Sequence, residues 1–214
     1  MNYLNNCLFI NLEKRKDRLE HVTTQLEKMN INGERFNAVE TKDGAIGCTM
    51  SHIKCLELAK ERDYDHVFIC EDDITFLNPD LLKTNLQRFI DMHINWDVII
   101  IGGNNCPPYQ TIEDFAIKIG NCQTTTGYIV NKHYYSTLLL NFRTGVQQLL
   151  TTKNPKQFAI DIYWKLLQHA GKWYLLYPLT VTQYENWSDI EKRKTNYNHL
   201  MLDSKKDWLY KPRM

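Results

Sequence analysis

The chain has 214 residues, with 26 basic against 25 acidic side chains, a formal net charge of +1, 43% hydrophobic and 12% aromatic residues. That length supports one sizeable core with room for a small appendage, and the hydrophobic fraction excludes a disordered chain. A near-neutral balance without a basic stripe offers no electrostatic footprint for a nucleic-acid partner.

Cys7 to Leu12 predicts a short buried strand ending near Asn11. Leu19, Val22, Leu26 and Met29 recur at helical spacing in a charged segment from Lys14 to about Met29, which Asn32-Gly33 closes. Arg35 to Val39 reads as a second strand and Lys42-Asp43-Gly44 as a turn. A helix is predicted from Gly47 to Arg62, with Cys48, His52, Cys55, Leu56 and Ala59 on one face. The apolar strand from His66 ends in three consecutive carboxylates, Glu71-Asp72-Asp73, and Ile74-Thr75-Phe76 follows at once. Asn78-Pro79-Asp80 starts the next helix, lined by Leu82, Leu86, Phe89 and Ile90. Asp97 to Ile101 is an apolar strand running into Gly102-Gly103.

Beyond residue 103 the pattern is less regular. It predicts a loop at Asn104 to Pro108, strands at Phe115 to Ile119 and Thr125 to Val130, and a helix capped by Asn131 that runs to about Asn141. A mobile loop over Thr151 to Pro155, a helix from Ile160 to Ala170 closed by Gly171, and a last core strand at Trp173 to Leu176 complete it. The tail beyond Asp189 is polar and basic and is assigned no structure.

The alternation of strands and helices predicts an α/β fold with a mostly parallel sheet covered on both faces. One domain is expected over residues 1–190, with residues 191–214 as a C-terminal tail. In open α/β sheets ligands sit at the carboxyl ends of strands, and Asn11, Glu71-Asp72-Asp73 and Gly102-Gly103 all lie at such ends. Two carboxylates about 4 Å apart repel by roughly 1–4 kcal/mol at surface-like dielectrics. Three in a row therefore call for solvation, protonation or an intervening cation. The apolar flanks favour the cation over a wet acidic turn, and a hard divalent ion with oxygen ligands can also hold a phosphate.

Six cysteines, Cys7, Cys48, Cys55, Cys70, Cys106 and Cys122, form no CxxC pair or zinc spacing, which predicts free, mostly buried thiols. Residues 1–6 show no secretory signal and no run reaches membrane-spanning length, so the expected location is cytoplasmic, without a transmembrane segment. Asn186-Trp187-Ser188 matches a glycosylation sequon and is read as chance.

Several elements then occur together: Phe9-Ile10-Asn11-Leu12 with Arg15, Asp17 and Arg18; Phe36 to Val39; Gly44 to His52; Phe68 to Asp73; Gly127 to Val130; and Ser188-Asp189-Ile190. Their order and spacing resemble glycosyltransferase family 25, which includes bacterial lipopolysaccharide-modifying enzymes and the collagen hydroxylysine galactosyltransferases. The resemblance runs to about Ile190. It implies a GT-A-type (Rossmann-like) fold, a UDP-sugar donor, a divalent Mn2+ or Mg2+ ion and inversion at the anomeric carbon. Residues 1–103 would bind the nucleotide sugar and residues 104–190 the acceptor. A hexose, galactose or glucose, would pass to a hydroxyl of a glycan or hydroxylysine-type acceptor, and peripheral membrane association is compatible with this. The chain length lies nearer the bacterial enzymes than the multidomain collagen-modifying ones.

By that resemblance Asp73 is the first choice as metal ligand, with Glu71 beside it, and Asp72 or Glu71 reaches the ribose or a metal-bound water. Asn11, Arg15 and Arg18 are candidates for the nucleotide, since guanidinium forks match diphosphate oxygens. The competing reading is a solvated charged helix face over Lys14 to Arg18. Ser51 and His52 sit early on the predicted helix, where free amides favour phosphate, although His52 also reads as a hydrogen-bonded core histidine orienting the acidic strand. An inverting transfer needs a base for the acceptor proton. Asp161 is the candidate, against a plain helix cap, with Asp114, Glu185 and Asp189 as alternatives. Thr125-Thr126-Gly127-Tyr128 is placed near the sugar, where Gly127 admits close backbone approach or marks a bulge. Trp187, in a cluster with Gln183, Tyr184 and Glu185, is a stacking candidate for the acceptor or a large core filler. His133, His169 and His199 show no metal spacing. Two other functions fit clustered acids: a metal-dependent nucleotidyltransferase or phosphohydrolase, which needs a second spaced acid set, and a non-catalytic carbohydrate- or partner-binding module.

Overall fold

The computed structural model describes residues 3–209. Strand β1 (Cys7–Asn11), helix α1 (Lys16–Lys28), β2 (Glu34–Asn37), α2 (Gly44–Glu61), β3 (His66–Glu71), β4 (Ile74–Phe76), α3 (Pro79–Asp91) and β5 (Val98–Asn105) follow the predicted alternation. Then come β6 (Gln110–Glu113), β7 (Ala116–Lys118), β8 (Cys122–Asn131), α4 (Tyr135–Thr152), α5 (Pro155–Phe158), α6 (Ile160–Tyr163), α7 (Lys165–Ala170) and β9 (Trp173–Leu176). The chain continues through β10 (Val181–Gln183), β11 (Asn186–Ser188), β12 (Arg193–Thr195) and α8 (Asn198–Met201).

Eight strands form the central sheet in the order β2-β1-β3-β8-β5-β9-β7-β6. β1 runs parallel to β2 and β3, and β5 to β9. β8 is antiparallel to both β3 and β5, and β7 to both β9 and β6. Only β7 and β8 are therefore reversed, and the other six strands run one way. The period-2 pleat sorts the apolar runs onto the two faces. Leu8, Ile10, Val67, Ile69, Val98 and Ile100 pack with α2 and α4 through Leu56, Leu138 and Phe142. Cys7, Phe9, Phe68, Cys70, Ile99 and Ile101 pack with α1 and α3 through Val22, Leu26, Leu82 and Phe89. Burial on both faces explains why these strands read as continuous apolar runs.

Helix α3 starts as predicted, with Pro79 in its first turn and the Asn78 side chain accepting from Leu81 N at 3.2 Å. Helix α2 begins three residues before the predicted Gly47, because Asp43 accepts from Ala45 N at 3.1 Å and caps it at Gly44. Asn131 does not cap α4: its side chain bonds His133 Nδ1 at 2.9 Å, and a 3-10 turn at Lys132–Tyr134 intervenes. The predicted mobile loop at Thr151 to Pro155 is the last turn of α4, a left-handed Lys153 (φ 54°) and the start of α5. The predicted Ile160 to Ala170 helix divides at Trp164, a fully buried side chain whose Nε1 donates to Cys122 O at 2.9 Å.

The segment after Asp189 is structured: β12 pairs with β11, α8 follows, and Met201 is fully buried. Its short polar strand gains stability only by pairing, so local periodicity does not reveal it. Residues 210–214 of the expected tail lie outside the described residues. All six cysteines are free. No helix among the described residues is long and apolar enough to cross a membrane.

Candidate active site

A cleft of about 490 Å³ opens at the carboxyl ends of β1 and β3. Because β8 runs antiparallel to β3, its first residues, Gln123 to Thr125, reach the same edge as Glu71. The start of α2 and the start of α6 form the side walls, and residues between Ser188 and Leu200 cover the cleft.

The three acids have separate environments. Glu71 Oε1 accepts from Thr125 Oγ1 at 2.5 Å and lies 3.3 Å from His52 Nε2. Burial pushes its carboxyl up, but the His52 and Thr125 hydrogen bonds and the Arg18 charge outweigh that and hold it below the ordinary value. Asp72 accepts from Asn11 Nδ2 at 2.7 Å and from Arg18 Nη1 at 2.9 Å. Burial still raises its pKa, which these partners offset only in part. Asp73 Oδ2 accepts from Arg18 Nη1 at 3.1 Å, while its Oδ1 is buried with no hydrogen-bond partner. Burial, opposed by Arg18 and reinforced by Glu71 and Asp72, pushes Asp73 up to about 7.

An orphaned carboxylate oxygen costs on the order of 1–3 kcal/mol or more, and one guanidinium serves two carboxylates here. This hard, all-oxygen donor set with uncompensated negative charge fits a divalent cation such as Mn2+ or Mg2+.

Asp161 lies across the cleft. It does not cap its helix, whose N-cap is Ala159; its Oδ2 accepts from Thr124 N of β8 at 3.1 Å. Burial raises its pKa, the Thr124 bond opposes that, and Glu71 adds to it. Thr124 holds φ 68°, a left-handed backbone uncommon for a β-branched residue, and its Oγ1 is buried without a partner.

Asn11 is buried and does not line the cleft; besides Asp72 it bonds Arg15 O and accepts from Arg35 Nε at 3.0 Å. Arg15 pairs with Asp17 at 2.9 Å and with Asp189, and donates to Trp187 O at 3.1 Å. Arg18 faces inward, onto Asp72, Asp73 and Trp187 O, so the solvated-face reading does not describe it. Ser51 Oγ accepts from Val39 N at 2.8 Å and donates to Gly47 O at 2.7 Å. The expectation that Ser51 and His52 stand at a helix N-terminus is corrected: the helix starts at Gly44, so both lie two turns inside it. His52 is fully buried, with Nδ1 2.7 Å from Tyr128 OH.

Of the alternative bases, Asp114 pairs with Arg88 at 2.7 Å and Glu185 with Lys194 at 2.8 Å, both away from the cleft lining. Asp189 lines the cleft but is held by Arg15. Gly127 admits no ligand: a Cβ there would lie 2.8 Å from Ile74 Cδ1, opposite the irregular register of β5 at Gly102. Trp187 is half exposed, not a core filler, and Tyr184 stacks on His21 with centroids 4.2 Å apart. His133 pairs with Asp97 at 2.8 Å, at the opposite end of β8.

Sequence reasoning missed Thr124, Asn104 and Gln123, and the covering segment after Asp189. It also missed Cys48, whose Sγ is 3.9 Å from Glu71 Oε1. The four-residue offset between Cys48 and His52 was a usable signal for that contact; no local pattern announced the others.

Fold and site together define an α/β protein with an acidic cleft at the carboxyl edge of its sheet. The family model for glycosyltransferase family 25 (LPS biosynthesis protein) matches residues 42–164, more than half of the chain. The chain belongs to glycosyltransferase family 25. A Haemophilus influenzae protein named as a candidate glycosyltransferase is 31% identical over 87 residues, covering 30% of this chain and 31% of that protein. A glycosyltransferase 25 family member of Drosophila pseudoobscura pseudoobscura is 23% identical over 163 residues, covering 60% of this chain and 26% of that protein. The chain thus spans less than a third of the length of these curated relatives. Among solved structures, a glycosyltransferase involved in glycosylation of the major capsid of PBCV-1 superposes with a TM-score of 0.48 at 11% identity, covering 79% of this chain and 81% of that one.

Proposed function

We propose that the chain is a metal-dependent, inverting glycosyltransferase that moves a hexose, galactose or glucose, from a UDP-sugar to a hydroxyl of a glycan or hydroxylysine-type acceptor. The observation that carries this reading is Asp73: a buried carboxylate with one unpartnered oxygen, beside two further acids at a strand end. Family membership supports the reaction class, and the all-oxygen donor set supports the cation.

In the proposed reaction the acceptor oxygen bonds to the anomeric carbon as the bond to the diphosphate breaks, and UDP leaves. Asp73 and Glu71 would hold Mn2+ or Mg2+, which when bound supplies positive charge to the departing diphosphate. Asp72, held by Asn11 and Arg18, is assigned to the ribose in this reading. Arg18, and Arg15 beyond it, are the cations this reading assigns to the phosphates, and Arg18 would be freer to turn to them once the acids have another counter-charge. Ser51 anchors α2 to the segment after β2, and His52 orients Glu71. Asp161 takes the acceptor proton on a carboxylate oxygen, with Oδ2 aimed by the Thr124 amide. Its raised pKa makes it a stronger base than an exposed aspartate. In this reading residues 1–103 serve the nucleotide sugar, residues 104–190 the acceptor, and residues 191–200 cover both.

The test incubates the protein with a panel of UDP-sugars and Mn2+, and measures UDP release with and without acceptor. Sugar-selective UDP release supports the transferase. Pyrophosphate release identifies a nucleotidyltransferase, and sugar binding without turnover a binding module. Asp73→Ala is expected to abolish both transfer and metal-dependent nucleotide binding by calorimetry; full activity in that variant overturns the assignment.

A further inference from the structure

We propose that Cys48, His52 and Glu71 form a second metal site, one that takes a thiophilic cation such as Zn2+. Cys48 and His52 stand four residues apart on α2, so one helical turn puts both side chains on the same face. The end of β3 brings Glu71 against that face. Cys48 Sγ, one ring nitrogen of His52 and a Glu71 oxygen all lie within 4.8 Å of one another. Nε2 is 3.3 Å and Sγ 3.9 Å from Glu71 Oε1. A tetrahedral zinc with ligands at about 2.0–2.3 Å sets neighbouring donor atoms roughly 3.3–3.6 Å apart, so closure needs shifts of about an ångström.

The surroundings are those a metal-binding imidazole requires. A ligating histidine uses its other ring nitrogen in an outer hydrogen bond that orients the ring, and His52 Nδ1 lies 2.7 Å from Tyr128 OH. The hydroxyl can donate or accept. With metal on Nε2, Nδ1–H donates to Tyr128; without it, Nε2–H faces Glu71. Thr125 Oγ1 donates to the same oxygen, Glu71 Oε1, at 2.5 Å and fixes the carboxylate in place. Cys48 and His52 both line the cleft, which gives the ion a route in. Binding converts the Cys48 thiol to a metal thiolate and releases one proton to solvent. Mixed sulfur, nitrogen and oxygen donors select zinc-like ions, whereas the all-oxygen pair Asp73 and Glu71 selects hard ions. The two sites share Glu71, so zinc is expected to oppose Mn2+-supported transfer. That last consequence rests on the proposed function; the metal site itself does not.

The test titrates the metal-free full chain with Co2+. A thiolate-to-cobalt charge-transfer band of one-to-one stoichiometry, displaced by Zn2+, is expected. Cys48→Ser or Cys48→Ala should remove the band, and His52→Gln, which removes a ligand itself, should weaken binding by more than the about 10–100-fold that loss of an outer partner costs. Tyr128→Phe should weaken it by about 10–100-fold. Asp73→Asn and Cys106→Ser should retain the band, with circular dichroism and melting curves verifying each fold. The proposal is overturned if no band forms, if the band survives loss of Cys48, or if Asp73→Asn removes it as completely as Cys48→Ser. Band formation without glycosyl transfer leaves this site standing and sinks only the catalytic reading.

Discussion

Asp73 concentrates the electrostatic cost of the cleft. Its carboxyl moves from 3.8 to about 7, through burial first, with Glu71 and Asp72 adding against Arg18. Between those values the folded chain keeps a proton that the unfolded chain has lost, so the Asp73 contribution to stability falls as pH rises through that window. Asp73→Asn removes the ionisation. In chelator it should flatten the profile of melting temperature against pH across that window and melt above wild type at pH 8; a variant profile as steep as wild type refutes the assignment. Asp161 is an acid of a different kind, aimed by a single amide at Thr124. Asp161→Asn keeps that acceptor geometry and removes the proposed base. Its kcat should fall by about 10²–10⁴, with UDP-sugar affinity by calorimetry nearly unchanged, since the loss falls on the transition state alone. The acid triplet was readable because three carboxylates after an apolar run are a local pattern. The Asp161 partner was not, because the residue looks like a cap and the amide it meets lies 37 positions away.

Helix α2 carries the two side chains that flank Glu71, and its placement depends on Gly47. A Cβ there would stand 2.5 Å from Val39 O and 3.0 Å from Thr41 Oγ1. The nearer atom is backbone, so relief must move the whole segment after β2. Gly47→Ala is expected to cost about 1–3 kcal/mol, which thermal melting should register as roughly 2–12 °C for a domain of this size. Gly127→Ala meets the side chains of Ile74 and Ile101 rather than backbone at its nearest contacts, and belongs at the low end of that range. The β11–β12 hairpin depends on longer-range ties: Arg15 to Asp189, and both Arg15 and Arg18 to Trp187 O. Arg15→Ala should speed amide exchange over residues 186–195 by about tenfold or more while leaving β3 and β8 protected; equal exchange in both proteins would show the ties carry nothing. Periodicity placed α2 correctly, but three residues late, because the Asp43 cap was read as part of a turn.

At the scale of the molecule, the reversed strand β8 between β3 and β5 makes the site what it is. A parallel strand there would send its first residues to the far edge, away from Glu71. Thr124 and Thr125 reach the acids only because β8 runs against its neighbours. A ligand gripped at this edge touches elements from both ends of the chain, so it should stabilise the whole fold. At 100 times Kd, binding adds about 2.7 kcal/mol, or roughly 5–11 °C for a domain of this size. UDP-hexose with Mn2+ is expected to give that rise, and Asp73→Ala should show none of it. Local order along the chain determined the strands with their apolar runs, the amphipathic helices, the carboxylates at a strand end and the motifs that mark family 25, because each is written within a few turns or strand residues. Tertiary structure alone decided that Arg18 lies over two of those acids, that Thr124 aims Asp161, that Cys48 and His52 flank Glu71, and that the segment after Asp189 covers the cleft. Those contacts join residues as much as 55 positions apart, and the Arg15–Asp189 bond beside the covering segment spans 174. They arise from strand order and direction, which depend on how the two apolar faces of the sheet are buried together.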